Sequence, residues 1–374
     1  MVHEQLSVDL DSCRGRQARL LAEMRTQQLE LVIATSHEAV QWLTGAFTGP
    51  LFAPAASLSD DGKLTLIMPS RKVNQTVAAD EVLAYEEKWH STLRDQQRRA
   101  SNEVLISALS NRPQSIQPTR LGGEWSSFGP QLLAAFGEPI DIEPTVFRLR
   151  RRKDADELQM MRRANEANRA MYARAREIIQ PGINELEVYS ELQATAVNEL
   201  GEALTYFGQD FRCNARGGLP RNREAQAGEL YILDLGVGFR GYCSDNARTI
   251  AVDRQPTDDQ QLAWQRLSEV FPLVESRVRP GVSCRQLFEE VQALLDQHPP
   301  WVFNHHLGHG VGLRPHEGPH LNPNWDDTFQ VGDFFTVEPG LYHEDLRHGI
   351  RLEENYLVTE SGVEKLTDYP LGLC

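Results

Sequence analysis

The stretch GDFFTVEPG, residues 332–340, places a charge at the end of a pattern that is typical of a buried strand. The apolar run from Phe334 to Val337 fits a strand inside a core, yet Glu338 follows it directly, before a proline and a glycine. A buried carboxylate without compensation costs several kcal/mol. Glu338 therefore either emerges into water or is held by an opposite charge.

The same pattern occurs a second time, earlier in the chain. GELYILDLG (228–236) matches GDFFTVEPG position for position: a glycine, an acid, an apolar run, an acid, one further residue and a glycine. Asp234 thereby corresponds to Glu338. A match of this kind indicates that the second half of the chain contains related segments.

Each copy is followed by a second extended segment that also carries an acid. The first is GYCSDNARTIAV (241–252), which contains Asp245, and the second is GIRLEENYLVT (349–359), which contains Glu353. Their β-branched and aromatic residues are typical of strands. Each copy therefore ends in a predicted strand pair with two acids.

A helical landmark precedes both copies. QPGIN (180–184) ends one predicted helix, and Asn184 caps the next one. RPGVS (279–283) ends a predicted helix from about 257 to 278, and Ser283 caps its successor. Landmarks in the same order with nearly constant offsets indicate an internal duplication. Two copies of two helices and a strand pair predict a pseudo-twofold α+β domain, with the sheet inside and the helices outside.

A smaller mixed α/β unit is predicted before the duplicated region. Within it, SLSDDGKLTLIMP (57–69) has the alternation of a hairpin, with an Asp-Gly pair at its turn. A basic run, residues 148–153, follows, and we interpret it as a solvated connection. The predicted domains are residues 1–145 and residues 146–374.

Composition disfavours several classes of protein. The chain has 374 residues, a formal charge of -15 and a pI near 5.2, which argue against binding to nucleic acid or to anionic membranes. We find neither the apolar segment of a secretory signal nor an apolar run long enough to span a bilayer. The five cysteines are scattered and include no CxxC pair, which favours reduced thiols and a cytoplasmic location.

The duplication predicts four acids that face one another across the pseudo-twofold axis: Asp234, Asp245, Glu338 and Glu353. Like charges at close range raise one another's pKa, and bound dications remove the repulsion. A nitrogen ligand is available in NHHLGHGVGLRPHEGPH (304–320), where His309 lies between two glycines. Four carboxylates and one imidazole suit Mn²⁺, and also Co²⁺, Zn²⁺ or Fe²⁺, in a two-metal centre.

These motifs resemble those of the pita-bread metallopeptidases, which include Xaa-Pro aminopeptidase, prolidase and methionine aminopeptidase. The resemblance is carried by the segments DLGVGFRGYCSD, GHGVGLRPHEGP, VEPGLY and GIRLEE. It implies an α+β fold with a C-terminal pita-bread domain. The N-terminal unit is similar in size and pattern to the creatinase/prolidase-type domain, which favours the Xaa-Pro branch of the family.

The resemblance implies a role for each ligand candidate. Asp234 would chelate one divalent metal, and His309 and Glu338 would hold the other. Asp245 and Glu353 would bridge the pair. A hydroxide between the metals would attack the scissile carbonyl, and Glu338 would also handle the proton of the attacking water.

The resemblance also implies supporting residues and a substrate. His305 and His316 would contact the substrate and stabilise the tetrahedral intermediate, and Arg351 would orient the acids. The implied reaction is hydrolysis of the peptide bond that precedes proline, in a short peptide with proline at the second position. The cofactors would be two divalent ions, Mn²⁺ first among them. Relatives of this kind form homodimers or higher homo-oligomers.

One segment departs from the family pattern. The family has a further histidine shortly before the first metal-binding aspartate, whereas FRCNARGGLPRNREAQAGE (211–229) contains none. Arg216 or Arg221 could take over its contact, or the substrate could differ. The favoured activity is Xaa-Pro aminopeptidase. The alternatives are prolidase, a metal-dependent amidohydrolase acting on a non-peptide substrate, and a non-catalytic binding protein of the same fold.

Overall fold

The computed structural model describes residues 6–110 and 120–374, which divide into two compact units at Arg150/Arg151. Up to this division, the elements are α1 (Leu10–Thr26), β1 (Leu31–Ala34), α2 (His37–Thr44), β2 (Ala55–Ser59), β3 (Leu64–Pro69), β4 (Glu81–Tyr85), β5 (Lys88–Trp89), β6 (Thr92–Leu93), α3 (Gln97–Ser110), β7 (Leu121–Gly123), α4 (Pro130–Phe136), β8 (Ile140–Asp141) and α5 (Glu143–Arg151). The predicted boundary after residue 145 lies inside α5.

The first unit is built on a mixed sheet in the order β4-β3-β2-β1-β7-β8. Leu31 and Ile33 of β1 share one core with Leu105 of α3 and Leu132 of α4. Alternate residues of a strand point to the same face, which explains why two residues of β1 enter this core together. The hairpin predicted over residues 57–69 is confirmed as β2 and β3.

The second unit contains the duplicated region. Its elements are α6 (Ala155–Ile178), α7 (Glu185–Leu200), β9 (Tyr206–Cys213), β10 (Leu230–Phe239), β11 (Tyr242–Cys243), β12 (Asn246–Ala251), α8 (Asp258–Ser268), α9 (Val270–Arg277), α10 (Cys284–Leu295), β13 (Gly308–Gly310), β14 (Glu317–Leu321), β15 (Phe334–Val337), β16 (Gly340–Leu341), β17 (Ile350–Arg351), β18 (Glu354–Val358) and β19 (Val363–Lys365). One sheet has the order β11-β10-β12 with β9 also paired to β10, and the other has the order β14-β13-β15-β18-β19. β16 pairs with β17 in a separate ribbon.

The predicted helix caps are confirmed at both repeats. The side chain of Asn184 accepts a hydrogen bond from the backbone N–H of Leu186 at 2.9 Å, at the start of α7. Ser283 accepts one from the backbone N–H of Gln286 at 3.2 Å, at the start of α10. These bonds satisfy helix N–H groups that have no partner inside the helix.

One predicted helix is wrong in its extent. The segment predicted as a single helix from about 257 to 278 is divided at Glu269 into α8 and α9. Pro272 lies in the first turn of α9, where its missing N–H does no harm. The same proline inside one continuous helix would remove a hydrogen bond and clash with the preceding turn, so the helix restarts instead.

The interpretation of residues 148–153 as a solvated connection is wrong for three of its cations, since Arg150, Arg151 and Lys153 are all buried. Arg151 is buried, and its Nη2 lies 2.6 Å from Oδ2 of Asp333. Lys153 is buried as well, with its Nζ 3.0 Å from Oε2 of Glu317. The sequence of the basic run does not reveal these partners, which lie far along the chain.

Side-chain amides join the two acid-bearing strand segments. Asn246 donates its amide N–H to the backbone carbonyl of Glu353 at 2.8 Å, and Asn355 donates to the backbone carbonyl of Asp245 at 2.8 Å. The backbone N–H of Glu353 also donates to the carbonyl of Ala247 at 3.0 Å. The two repeats are therefore held together at the residues whose side chains carry the charge.

Two further features of the fold concern the helices and the cysteines. Across residues 6–110 and 120–374, no helix is both long enough and apolar enough to cross a bilayer. All five cysteines are free thiols, of which four are buried and Cys374 is exposed.

Candidate metal centre

The two acids of the first repeat are both buried. Asp234 lies on β10 and Asp245 directly precedes β12, and their exposed fractions are 6% and 4%. Oδ2 of Asp234 accepts a hydrogen bond of 2.6 Å from Arg351, whereas its Oδ1 has no partner among the described residues. Burial raises the pKa of Asp234, and burial together with the charge of Asp234 raises the pKa of Asp245 well above its usual range.

The two acids of the second repeat have opposite electrostatic environments. Glu353 directly precedes β18, and neither of its carboxylate oxygens has a partner in the described chain, so burial raises its pKa well above the usual range. Glu338 directly follows β15. Burial also acts to raise its pKa, but hydrogen bonds from His306 and His309 outweigh burial and hold the pKa well below its usual range.

His309 is oriented toward the acids by its own backbone. The ring Nδ1 donates to the carbonyl of Gly310 at 3.0 Å, so Nε2 is the ring nitrogen that faces the acids. That Nε2 lies 3.4 Å from Oε1 of Glu338 and 3.7 Å from Oδ2 of Asp245. A Cβ on Gly310 would lie 2.0 Å from the carbonyl oxygen of Gly318, so only glycine fits beside the histidine. This is the arrangement of a metal-binding imidazole.

The donor atoms fit divalent cations. Among the described residues, four groups of histidine and acid side chains have ligand atoms within 4.8 Å of one another. Two of these groups contain the predicted metal ligands: Asp234, Glu338 and Glu353, and Asp245, His309 and His316. Three carboxylate oxygens of Asp234 and Glu353 are buried without a hydrogen bond from any described residue. Buried polar atoms are normally satisfied, and a cation would supply the partner that these oxygens lack.

Arg351 forms hydrogen bonds along one side of this cluster. Its Nη1 donates to Asp234 at 2.6 Å and to Asp210 at 3.0 Å, and its Nε donates to the hydroxyl of Tyr342 at 3.1 Å. Asp210 and Asp234 are directly opposed in the β9–β10 pair. Opposed like charges are destabilising in a sheet, so the guanidinium between them compensates for their repulsion.

The other two predicted histidines lie beside the cluster and differ in their exposure. Nδ1 of His305 donates to the carbonyl of His306 at 2.7 Å, so its Nε2 accepts from the hydroxyl of Tyr342 at 2.9 Å. Burial lowers the pKa of His305 to about 4. His316 is exposed, and its ring stacks on that of His309 with centroids 3.7 Å apart.

Three residues of the site were not predicted from the sequence. Nε2 of His306 lies 2.8 Å from Oε1 of Glu338, and Asp210 and Tyr342 both bind Arg351. His306 belongs to the histidine-rich segment, but the family spacing favoured its neighbour. Asp210 could have been found only from the register of β9 against β10.

Removing the hydrogen bond from Arg351 to Asp234 is expected to weaken metal binding. Arg351→Gln should lower the affinity for Mn²⁺ by about 10- to 100-fold, which is typical of the loss of a residue that orients a ligand. Isothermal titration of the metal-free protein measures this affinity. Arg240→Gln removes the same charge from a pair with Glu202 and should bind Mn²⁺ as the wild type does. Equal affinities of Arg351→Gln and the wild type for Mn²⁺ would contradict a role of Arg351 in orienting Asp234.

Family models match both parts of the chain. Residues 159–360 match metallopeptidase family M24, and residues 16–151 match the creatinase/prolidase N-terminal domain. Because the first match covers more than half of the chain, the protein belongs to metallopeptidase family M24. The predicted family and fold class are thereby confirmed: a creatinase-like N-terminal domain precedes a pita-bread domain, and the protein is a metallopeptidase.

Individual relatives agree with this assignment. An uncharacterized peptidase of Staphylococcus aureus (strain USA300) is 26% identical over 368 residues, which cover 94% of this chain and 98% of that protein. The prolidase of Pyrococcus horikoshii OT3 superimposes with a TM-score of 0.81 at 22% identity, over 96% of this chain and 100% of that one. The X-Pro aminopeptidase of Thermotoga maritima superimposes with a TM-score of 0.78 at 22% identity, over 96% of this chain and 98% of that one. At this identity, the two structures show a shared fold.

Proposed function

We propose that this metallopeptidase is an Xaa-Pro aminopeptidase that hydrolyses the peptide bond before proline in short peptides, with prolidase as the alternative. The observation that supports the proposal is the buried group of four carboxylates and one imidazole, which includes oxygens that have no hydrogen-bond partner among the described residues. Both activities occur in the names of the similar structures. The proposed catalytic domain is residues 146–374, in a cytoplasmic homodimer or higher homo-oligomer.

The proposed metal ligands follow the arrangement of the two repeats. We assign Asp234 to one cation, His309 and Glu338 to a second, and Asp245 and Glu353 to both. Oxygen donors predominate in this set, which favours Mn²⁺ among the divalent ions. When bound, the two cations polarise the scissile carbonyl and lower the pKa of the water that attacks it.

The proposed proton transfer uses Glu338. Its hydrogen bonds from His306 and His309 hold its pKa well below the usual range, so its carboxylate is ionised at neutral pH. A carboxylate oxygen of Glu338 would take up the proton of the attacking water and return it to the proline nitrogen that leaves.

The remaining proposed roles concern orientation and charge. His316 is exposed beside the ligand His309 and would donate to the carbonyl oxygen as negative charge develops there. A substrate contact by Nε2 of His305 would require the hydroxyl of Tyr342 to give up its bond. Arg351 would keep Asp234 in place throughout.

The first experiment is peptide hydrolysis with and without metal. Ala-Pro-Ala and Ala-Pro should be cleaved between alanine and proline in Mn²⁺, EDTA should abolish cleavage, and excess Mn²⁺ should restore it. Faster cleavage of the tripeptide supports the aminopeptidase, and faster cleavage of the dipeptide supports prolidase. Failure to cleave either peptide while metal is bound would contradict the proposal. It would favour the amidohydrolase alternative, which the absent histidine of residues 211–229 already suggests.

A further inference from the structure

Hydrogen bonds hold the loop between β9 and β10 in place beside the candidate metal centre. Gly217 and Gly218 have φ values of +149° and +114°, which favour glycine. The backbone N–H of Gly218 donates to Oδ1 of Asp210 at 2.6 Å, and a Cβ on Gly217 would lie 2.1 Å from Oδ2 of the same carboxylate. Asp210 is in turn bound by Arg351. The loop therefore has a defined position where the family's further histidine is absent.

This position places Arg216 over Tyr342. The guanidinium carbon of Arg216 lies 4.1 Å from the centroid of the Tyr342 ring, and Nη2 donates to Oδ1 of Asn304. The backbone carbonyl of Arg216 accepts from Nη2 of Arg351 at 2.7 Å. The hydroxyl of Tyr342 contacts both His305 and Arg351. The Tyr342 ring therefore lies between the Arg216 guanidinium and these two residues beside the candidate metal centre.

Arg216 is available to a ligand, whereas its neighbours Arg351 and Arg221 are engaged by carboxylates. Arg351 is bound by two aspartates, and Arg221 donates to both carboxylate oxygens of buried Glu185. Arg216 is exposed and forms no ion pair with any carboxylate in residues 6–110 and 120–374. Of the two arginines that could replace the absent histidine, Arg216 alone presents a free positive charge.

We propose that Arg216 binds a carboxylate of the substrate at the rim of the metal centre and thereby sets substrate preference. The planar guanidinium matches a carboxylate in two parallel hydrogen bonds, and stacking on Tyr342 fixes its plane. This inference rests on the proposed function and names the group that the substrate presents. The carboxylate is either the C terminus of an Xaa-Pro dipeptide or the side chain of an acidic residue after proline.

Two matched pairs of substrates distinguish these sources. Ala-Pro against Ala-Pro-amide tests the C-terminal carboxylate, and Ala-Pro-Asp-amide against Ala-Pro-Asn-amide tests the acidic side chain. In the wild type, the carboxylate member of one pair should have a kcat/KM about 10- to 100-fold higher, mainly through KM, as expected for a charged hydrogen bond. Arg216→Gln should abolish this preference, and Arg216→Lys should retain part of it.

The controls separate this inference from the proposed function. Arg277→Gln removes an exposed arginine paired with Glu290 and should keep the wild-type preference. If the wild type cleaves the substrates without preference, or Arg216→Gln slows both members of each pair equally, the inference is wrong and the proposed function stands. If the wild type cleaves none, the proposed function fails. In that case, calorimetric titration of the metal-free wild type and Arg216→Gln with each pair of peptides measures binding alone. Tighter binding of the carboxylate member by the wild type only supports the inference, and any other result overturns it.

Discussion

Glu338→Gln is expected to reduce kcat/KM for Ala-Pro-Ala by about 10³-fold or more, the scale seen when a residue central to the chemistry is removed. Glutamine keeps the size of the side chain but loses the negative charge that His306 and His309 stabilise. It can neither take up a proton from water nor neutralise a cation. The measurement is steady-state hydrolysis at saturating Mn²⁺, with metal content determined on the same sample.

The metal content shows which of the two proposed roles is lost. Full metal content with low activity assigns the loss to proton transfer, whereas depleted metal assigns it to ligation. Glu344→Gln is the matched control, because Glu344 is exposed a few residues further along the same segment and should retain wild-type activity. Wild-type rates in Glu338→Gln would contradict the proposed roles of this residue.

The charge at the end of GDFFTVEPG could be interpreted from the sequence because the pattern occurs twice. A single acid after a strand is ordinary, but Asp234 and Glu338 at matching positions make a shared purpose a specific prediction. The helix caps at Asn184 and Ser283 were predictable for a different reason, since capping depends on residues only two or three positions apart. Local rules and internal repetition together therefore predict most of the second unit's architecture.

The parts that could not be predicted depend on contacts between distant segments. Asp210 opposes Asp234 only because of the β9–β10 register, and Arg151 is buried only because Asp333 lies against it. The position of Arg216 depends on a loop with two glycines in unusual conformations. None of these contacts follows from spacing along the chain, so their chemistry becomes visible only in three dimensions.

Glu353→Gln is expected to change stability in opposite directions with and without metal. In the metal-free protein, no described residue donates a hydrogen bond to either carboxylate oxygen of Glu353, and burial raises its pKa well above the usual range. Removing this buried acid should raise the free energy of unfolding of the metal-free protein by about 1–3 kcal/mol. Chemical denaturation in EDTA measures the change.

The increase in the free energy of unfolding caused by Glu353→Gln should depend on pH with a defined sign. A carboxyl group whose folded-state pKa is raised contributes stability that is fully present below its unfolded pKa, and that contribution is lost as the pH rises through the folded pKa. Glu353 is such a group in the metal-free protein. The advantage of Glu353→Gln over the wild type should therefore grow as the pH rises from about 4, the usual pKa of glutamate, through neutrality.

Mn²⁺ should reverse the order of stability. At a free concentration of 100 times Kd, each bound cation stabilises the folded state by about 2.7 kcal/mol, so the proposed pair outweighs the advantage of about 1–3 kcal/mol, and Glu353→Gln should gain much less because a proposed bridging ligand is gone. Glu360→Gln, an exposed control just beyond β18, should behave as the wild type does in both conditions. A variant that Mn²⁺ stabilises as much as the wild type would show that Glu353 does not hold metal. The paired acids of the two repeats would then be a feature of the duplicated architecture alone, and the unpartnered oxygens of Glu353 would need another explanation.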